Sequence, residues 1–192
     1  MTKDEFIQAY SSTNMYAYAL DEERCHIGTA PTLGDALHMH GRVAVLKVID
    51  DLVQALVNFT SAKQRLREDQ RTHLCWVILT QYLWLRVTEL SLFIVKAQSG
   101  HFGKFYSTID PVDITTALYD WADVCRQQRN RYKLARIERE QIEDRNKRER
   151  DYECHKDEIK TLLLNGQFEF LHKRLAQKIS TKNQDISNHD KL

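Results

Sequence analysis

Between Pro111 and Gly166 the chain carries no glycine and no further proline. A run that long without a breaker has few outcomes other than helix, since nothing in it removes a donor or invites a left-handed turn. The whole chain holds six Gly and two Pro in 192 residues, about a third of the usual share. Sandwiches, barrels and hairpin-rich folds need turn residues at short intervals, so they are excluded. Hydrophobic residues at 42% and charged residues at 29% exclude a chain disordered throughout or embedded in a membrane. The expected class is all-α: a compact helical body with a long, basic C-terminal helix and a terminal helical hairpin. The expected divisions are a helical core domain over 1–125, an extended charged helix and hairpin over 126–179, and a disordered tail over 180–192.

Helical periodicity and caps place the elements. Thr2 and Glu5 form a capping-box pattern for a short first helix. Ser11 to Pro31 reads as irregular and polar. A short helix is expected from Pro31–Thr32 to His40, ended by Gly41. Arg42 to Phe59 repeats Val45, Leu46, Ile49, Leu52, Val53 and Leu56 on one face, which marks an amphipathic helix. The next helix should start near Arg67, with Glu68 and Asp69 at the positive end of its dipole. Leu74 to Leu85, apolar nearly all round, is expected to be the central helix. After a break near Leu85–Thr88, a further apolar helix should run to Ala97, with Gly100 as its stop. Asp110 then caps a helix with Pro111 at its first position. That helix is expected to reach Tyr152, about 63 Å at 1.5 Å per residue, with supporting pairs such as Arg136–Glu140. Leu162 to Leu175 is the expected hairpin, folded back or pairing with another chain.

Charge is uneven along the chain. Residues 1–125 hold 11 Lys/Arg against 15 Asp/Glu, and residues 126–150 hold 10 against 5. An acidic body joined to a basic helix points to an acidic partner or a polyanion for the helix, or to a solvated face laced with ion pairs. Arg126, Arg129, Lys133 and Arg136 recur at i, i+3, i+7 and i+10, which would put four cations on one face able to lie along a nucleic-acid backbone. Tyr132 could stack on a base. Acidic residues one turn further on interrupt that stripe.

Chemistry-bearing candidates are few. No nucleophile elbow, phosphate loop or dinucleotide fingerprint is present. Cys25-His26 and Cys154-His155 carry a zinc-type donor set at a spacing unlike that of any local finger. His38 and His40 read as ordinary helix-end histidines. Arg86 and Glu89, three apart in an apolar segment, are expected to form a structural ion pair; the enzymatic alternative makes Glu89 a general base near His101. The reading is therefore of a non-enzyme with no metal and no cofactor. With no secretory or membrane-spanning segment in the sequence, the expected setting is cytoplasmic, with reduced cysteines.

The loop Ser99 to Ile109 combines two glycines with His101, Phe102, Lys104, Phe105 and Tyr106, an interface-like composition. These five are the expected partner-binding residues. The run Glu89, Lys96, Gly100, Phe102, Gly103, Lys104, Phe105, Tyr106, Asp110 and Pro111 resembles the pattern of an uncharacterised family of small helical proteins encoded by phages and mobile elements of gut bacteria. Ser107 stands where that pattern usually has Gly. The resemblance implies a role in replication or maintenance of the element, as an adaptor or a loader of a replicative helicase. The leading expectation is thus a non-catalytic interaction protein with a protein partner, and a homodimer is compatible with it. The alternative is direct nucleic-acid binding through the basic helix 126–150.

Overall fold

The computed structural model describes residues 1–60, 66–103, 110–164, 173–175 and 178. The chain divides into two compact units, Met1–Ala135 and Arg136–Leu192. The described elements are all helical apart from one isolated bridge, Thr32 to Arg86. They are α1 (Lys3–Ala9), a 3-10 turn (Ser12–Asn14), α2 (Met15–Ala19), α3 (Glu22–Ile27), α4 (Leu33–His40), α5 (Arg42–Phe59), α6 (Glu68–Gln81), α7 (Val87–Gln98) and α8 (Pro111–Leu164). The all-α expectation holds, and α8 is the long helix implied by the breaker-free run.

Caps set the boundaries. Thr2 Oγ1 accepts from the Glu5 N–H at 3.2 Å, and Glu5 accepts from the Thr2 N–H at 2.7 Å. Thr32 and Asp35 repeat this box on α4. Gly41, at φ 80°, turns the chain between α4 and α5. At the end of α7, Gly100 sits at φ 81°. The Gly100 N–H donates to Ala97 O and the His101 N–H to Lys96 O, which is a Schellman closure requiring the left-handed region at Gly100. Asp110 Oδ1 accepts from the Val112 N–H at 2.8 Å and starts α8.

Two expectations are corrected. The segment expected to be irregular, Ser11 to Pro31, contains the 3-10 turn, α2 and α3. Asp21 caps α3 through the Arg24 N–H at 2.9 Å, and burial of Met15, Cys25 and His26 ties the short helices to the core. The central helix is α7, not the Leu74–Leu85 segment. In α7 the side chains from Val87 to Ile94 are all buried, and full burial of each large apolar one contributes about 1.5–3 kcal/mol. Helix α6 instead leaves Trp76 and Val77 exposed, and it ends at Gln81. Beyond it the chain turns, and Leu83 O and Leu85 O accept from the N–H groups of Gly34 and Leu33, both at 2.8 Å.

In the first unit, α5 packs on α1, α4, α6 and α7, while α7 also packs on α2 and α3. The inner face of α8 completes this core with Ile114, Leu118, Trp121, Ala122 and Cys125. In the second unit the residues of α8 are exposed except for the half-buried Ile159, among those whose burial is described. Ion pairs there include Arg136–Glu140 at 2.9 Å, the expected i,i+4 pair, and Arg174–Glu158 at 2.6 Å. Most of the hairpin expected over 162–175, and the tail 180–192, lie outside the described residues. No helix among those described is long and apolar enough to cross a membrane.

Gly100→Ala should destabilise the chain by about 1–2 kcal/mol, the cost of a Cβ in the left-handed region. Gly100→Asn should cost less. Urea unfolding of the three proteins checks this.

Candidate functional site

Glu89 lies at the third position of α7 with none of its side chain exposed. Elements distant in sequence converge on its carboxylate. From α3, His26 Nδ1 stands 2.9 Å from Oε1. From α8, Arg129 donates through Nε to Oε1 at 2.7 Å and through Nη2 to Oε2. The Arg86 N–H donates to Oε2 at 2.8 Å, capping α7. The Trp121 indole N–H donates to the Glu89 backbone carbonyl at 3.1 Å. Tyr132 stacks on His26, with centroids 5.8 Å apart.

Burial pushes the Glu89 carboxyl up, but hydrogen bonds from His26, Arg129 and the Arg86 N–H, together with the Arg129 charge, outweigh it and hold the pKa below its usual value. Removing one partner of such a buried pair costs roughly 3–5 kcal/mol, because the other charge is left uncompensated.

The expected Arg86–Glu89 ion pair is therefore corrected. Glu89 pairs with Arg129, whereas the Arg86 guanidinium donates to the carbonyls of His26, at 3.1 Å, and Ala30. Those carbonyls belong to the end of α3 and the chain after it, so Arg86 ties that segment to the start of α7. Glu89 as a base near His101 is also corrected. His101 is exposed beyond the far end of α7, twelve residues and about 18 Å along the helix axis.

The four-cation face is broken at its second member. Arg129 is turned inward with 20% of its side chain exposed, donates to Trp84 O at 3.0 Å and lies 5.0 Å from the Trp84 ring. Arg126 covers the same ring at 4.5 Å and pairs with Asp123 at 2.6 Å. Lys133 and Arg136 are exposed, Arg136 paired with Glu140. Tyr132 faces His26 rather than a base. Of the expected partner-binding residues, His101 is exposed. Phe102 is half-buried against Phe93 and Trp121, at 5.0 and 6.0 Å between centroids, so it anchors the chain after α7 to the core. Lys104, Phe105 and Tyr106 lie outside the described residues.

His26, Glu89 and Cys125 bring three donor atoms within 4.8 Å of one another. The arrangement does not suit a cation, because both carboxylate oxygens already accept from donors and the Arg129 guanidinium occupies them. It does not suit a nucleophile either. Cys125 is fully buried, and burial pushes its thiol well above the usual range, so no thiolate forms. Members of both Cys-His dipeptides have partners of their own. Cys25 donates to Tyr18 O at 3.0 Å, with its pKa pushed up to about 12, chiefly by burial. His155 Nδ1 lies 2.7 Å from Asp151 O. His40 is buried and stacked on Phe6 at 4.5 Å, while His38 is exposed.

The sequence reading missed His26 as a partner of Glu89 and Arg129 as its counter-ion. Arg129 follows Cys125 by four residues and Ala122 by seven, so it continues the buried stripe of α8. That register was the available signal.

Outside this buried cluster, a groove of about 390 Å³ lies between α6 and the start of α8, floored by Leu74, Val77, Pro111 and Val112 and edged by Asp69 and His73.

A carboxyl whose pKa is depressed by folding adds stability above its unfolded value of about 4.5. That stability is lost as pH falls through the folded value. Unfolding free energy should therefore drop on acidification below about pH 4.5, and Glu89→Gln should be less stable at pH 7 with a shallower acid slope. Urea titrations at stepped pH measure both.

Comparison with curated proteins and with solved structures gave no match. A family model does match, over residues 65–158. That span includes Glu89, Trp121, Cys125, Arg129 and the groove, but not His26. Over it the chain is similar to a family of unknown function, DUF6633.

Proposed function

We propose that this chain is a non-catalytic protein-interaction module that meets its partner on the α6–α8 face of its first unit. The observation that carries the reading is a contrast in exposure. His26, Glu89 and Cys125 are buried, and the Glu89 carboxylate is paired with His26 and Arg129, while His26 Nε2 has no partner among the described residues. An exposed feature is a largely apolar groove edged by Asp69. Val112 is 66% exposed, and Tyr119, two turns along the same face of α8, is 65% exposed. An aromatic and aliphatic patch beside a groove is the composition that anchors protein contacts.

The reading puts docking on the α6–α8 face rather than on the Gly100–Tyr106 loop favoured by sequence. Engagement of Arg129 with Glu89 withdraws support from a nucleic-acid face on α8. The resemblance to proteins of phages and mobile elements supports an adaptor role in replication of the element, with a replicative helicase as the first partner to seek.

A tagged full-length chain recovered from host cells after nuclease treatment should retain a protein partner. Val77→Asp combined with Val112→Asp should reduce that partner about tenfold or more, the scale of losing an interface anchor. Both positions are exposed, and an unchanged far-UV dichroism spectrum verifies the fold. Capture indifferent to these changes, or abolished by nuclease, contradicts the reading.

A further inference from the structure

A second cavity, of about 290 Å³, shares no lining residue with the groove. Its floor is buried. Tyr10, which caps the end of α1, Cys25 on α3 and Thr88 on α7 are 8%, 1% and 3% exposed. Two of these three have already spent their protons. Thr88 Oγ1 donates to Cys25 O at 2.9 Å, and Cys25 Sγ donates to Tyr18 O at 3.0 Å. Tyr10 has not. Its ring is held in place by Phe6 and Tyr18, at 5.2 and 5.6 Å between centroids, yet its hydroxyl makes no hydrogen bond with any described residue. A tyrosine buried this far ordinarily gives its O–H a partner.

The mouth of the cavity carries Asp21 and Arg24, both exposed. They stand three residues apart, but neither makes an ion pair with the other or with any described residue. Asp21 Oδ1 accepts the Arg24 backbone N–H at 2.9 Å, and the Arg24 guanidinium has no acceptor among the described residues. The cavity thus joins one uncommitted cation and one uncommitted anion at its rim to a single uncommitted hydroxyl in its floor.

We propose that this cavity binds a small zwitterion, an α-amino acid with an uncharged, hydrogen-bonding side chain. Arg24 takes the carboxylate, Asp21 the ammonium group, and Tyr10 the polar tip of the side chain. The charges select the class. A phosphate or a simple carboxylic acid meets repulsion from Asp21, and a simple amine meets it from Arg24, whereas a zwitterion pairs with both. The floor selects the side chain, since a purely apolar one leaves the Tyr10 hydroxyl unpaired. Size agrees, because cavities for drug-sized ligands run from roughly 300 to 1,000 Å³, and this one is too small for a nucleotide. The guest is bound rather than transformed. Cys25, pushed up to about 12 chiefly by burial, supplies no thiolate.

Amide-shift titration of the nitrogen-15-labelled full chain with L-serine, L-threonine, L-asparagine and L-glutamine tests this. At least one should saturate with a Kd of about 1 mM or tighter, with shifts centred on Tyr10, Arg24 and Thr88. The primary amide of that amino acid, and the same acid lacking its amino group, should each bind about fivefold more weakly, the upper end for an ion pair near solvent. Arg24→Gln should erase the preference over the amide. Asp21→Asn, which keeps the capping oxygen, should erase the preference over the deaminated acid. Tyr10→Phe should erase the preference over L-valine and L-leucine. These changes remove no described side-chain hydrogen bond, and far-UV dichroism verifies the fold. Val77→Asp with Val112→Asp, in the groove, should leave binding unchanged. No saturable shift with any of the four amino acids overturns the proposal. So does binding whose preferences survive the three cavity variants, or binding that the groove variant abolishes.

Discussion

A carboxylate with no exposure to water organises the first unit. Moving an unpaired carboxylate into a protein interior costs several kcal/mol even after relaxation, so Glu89 can be buried only where the fold supplies donors from more than one direction. It receives them from His26 on α3, Arg129 on α8 and the N–H of Arg86 at the start of α7. Apolar packing brings these elements near one another but is indifferent to small slides. The hydrogen bonds to a single carboxylate are not, and they set the position of α8 along and around its own axis. The Trp121 indole bond to the Glu89 carbonyl fixes the same helix one turn earlier than Cys125.

That placement determines what solvent meets. Because Arg129 turns inward, the face carrying Cys125 and Trp121 is sealed, and the opposite face, from Val112 to Leu134, points outward. The groove exists because α6 and the first turns of α8 stand apart there, leaving Val77 and Val112 uncovered. The same buried pair thus goes with buried reactive side chains on one side of α8 and an exposed groove on another. The proposed reading of contact rather than catalysis draws on that division.

Much of this was legible in the sequence. The caps at Thr2, Thr32 and Asp110, the glycine stops at Gly41 and Gly100, and the boundaries of α5 depend on local backbone chemistry that a few residues specify. The requirement that Glu89 be paired was also legible, since a carboxylate within an apolar helix has no other means of burial. Its partner was not, because proximity in sequence favoured Arg86 at three residues over Arg129 at forty. Arg86 could not serve, since its guanidinium is taken by carbonyls after α3, a tertiary contact invisible to spacing. The four-cation stripe failed for the same reason: periodicity finds a face, but only packing decides which side of the helix turns inward. The short helices between Ser11 and Pro31 escaped notice because each is shorter than the window over which periodicity can be read.

The central claim is that the Glu89–Arg129 pair, and not apolar packing alone, holds α8 in register against α7. Amide hydrogen exchange on Arg129→Ala tests it at the level of single segments. The account predicts that protection falls across residues 122–135 of α8 and across α3, while α5 keeps its wild-type protection. Unchanged protection over 122–135 in a folded Arg129→Ala protein would contradict the account and leave the ion pair a passenger in a core that packs without it.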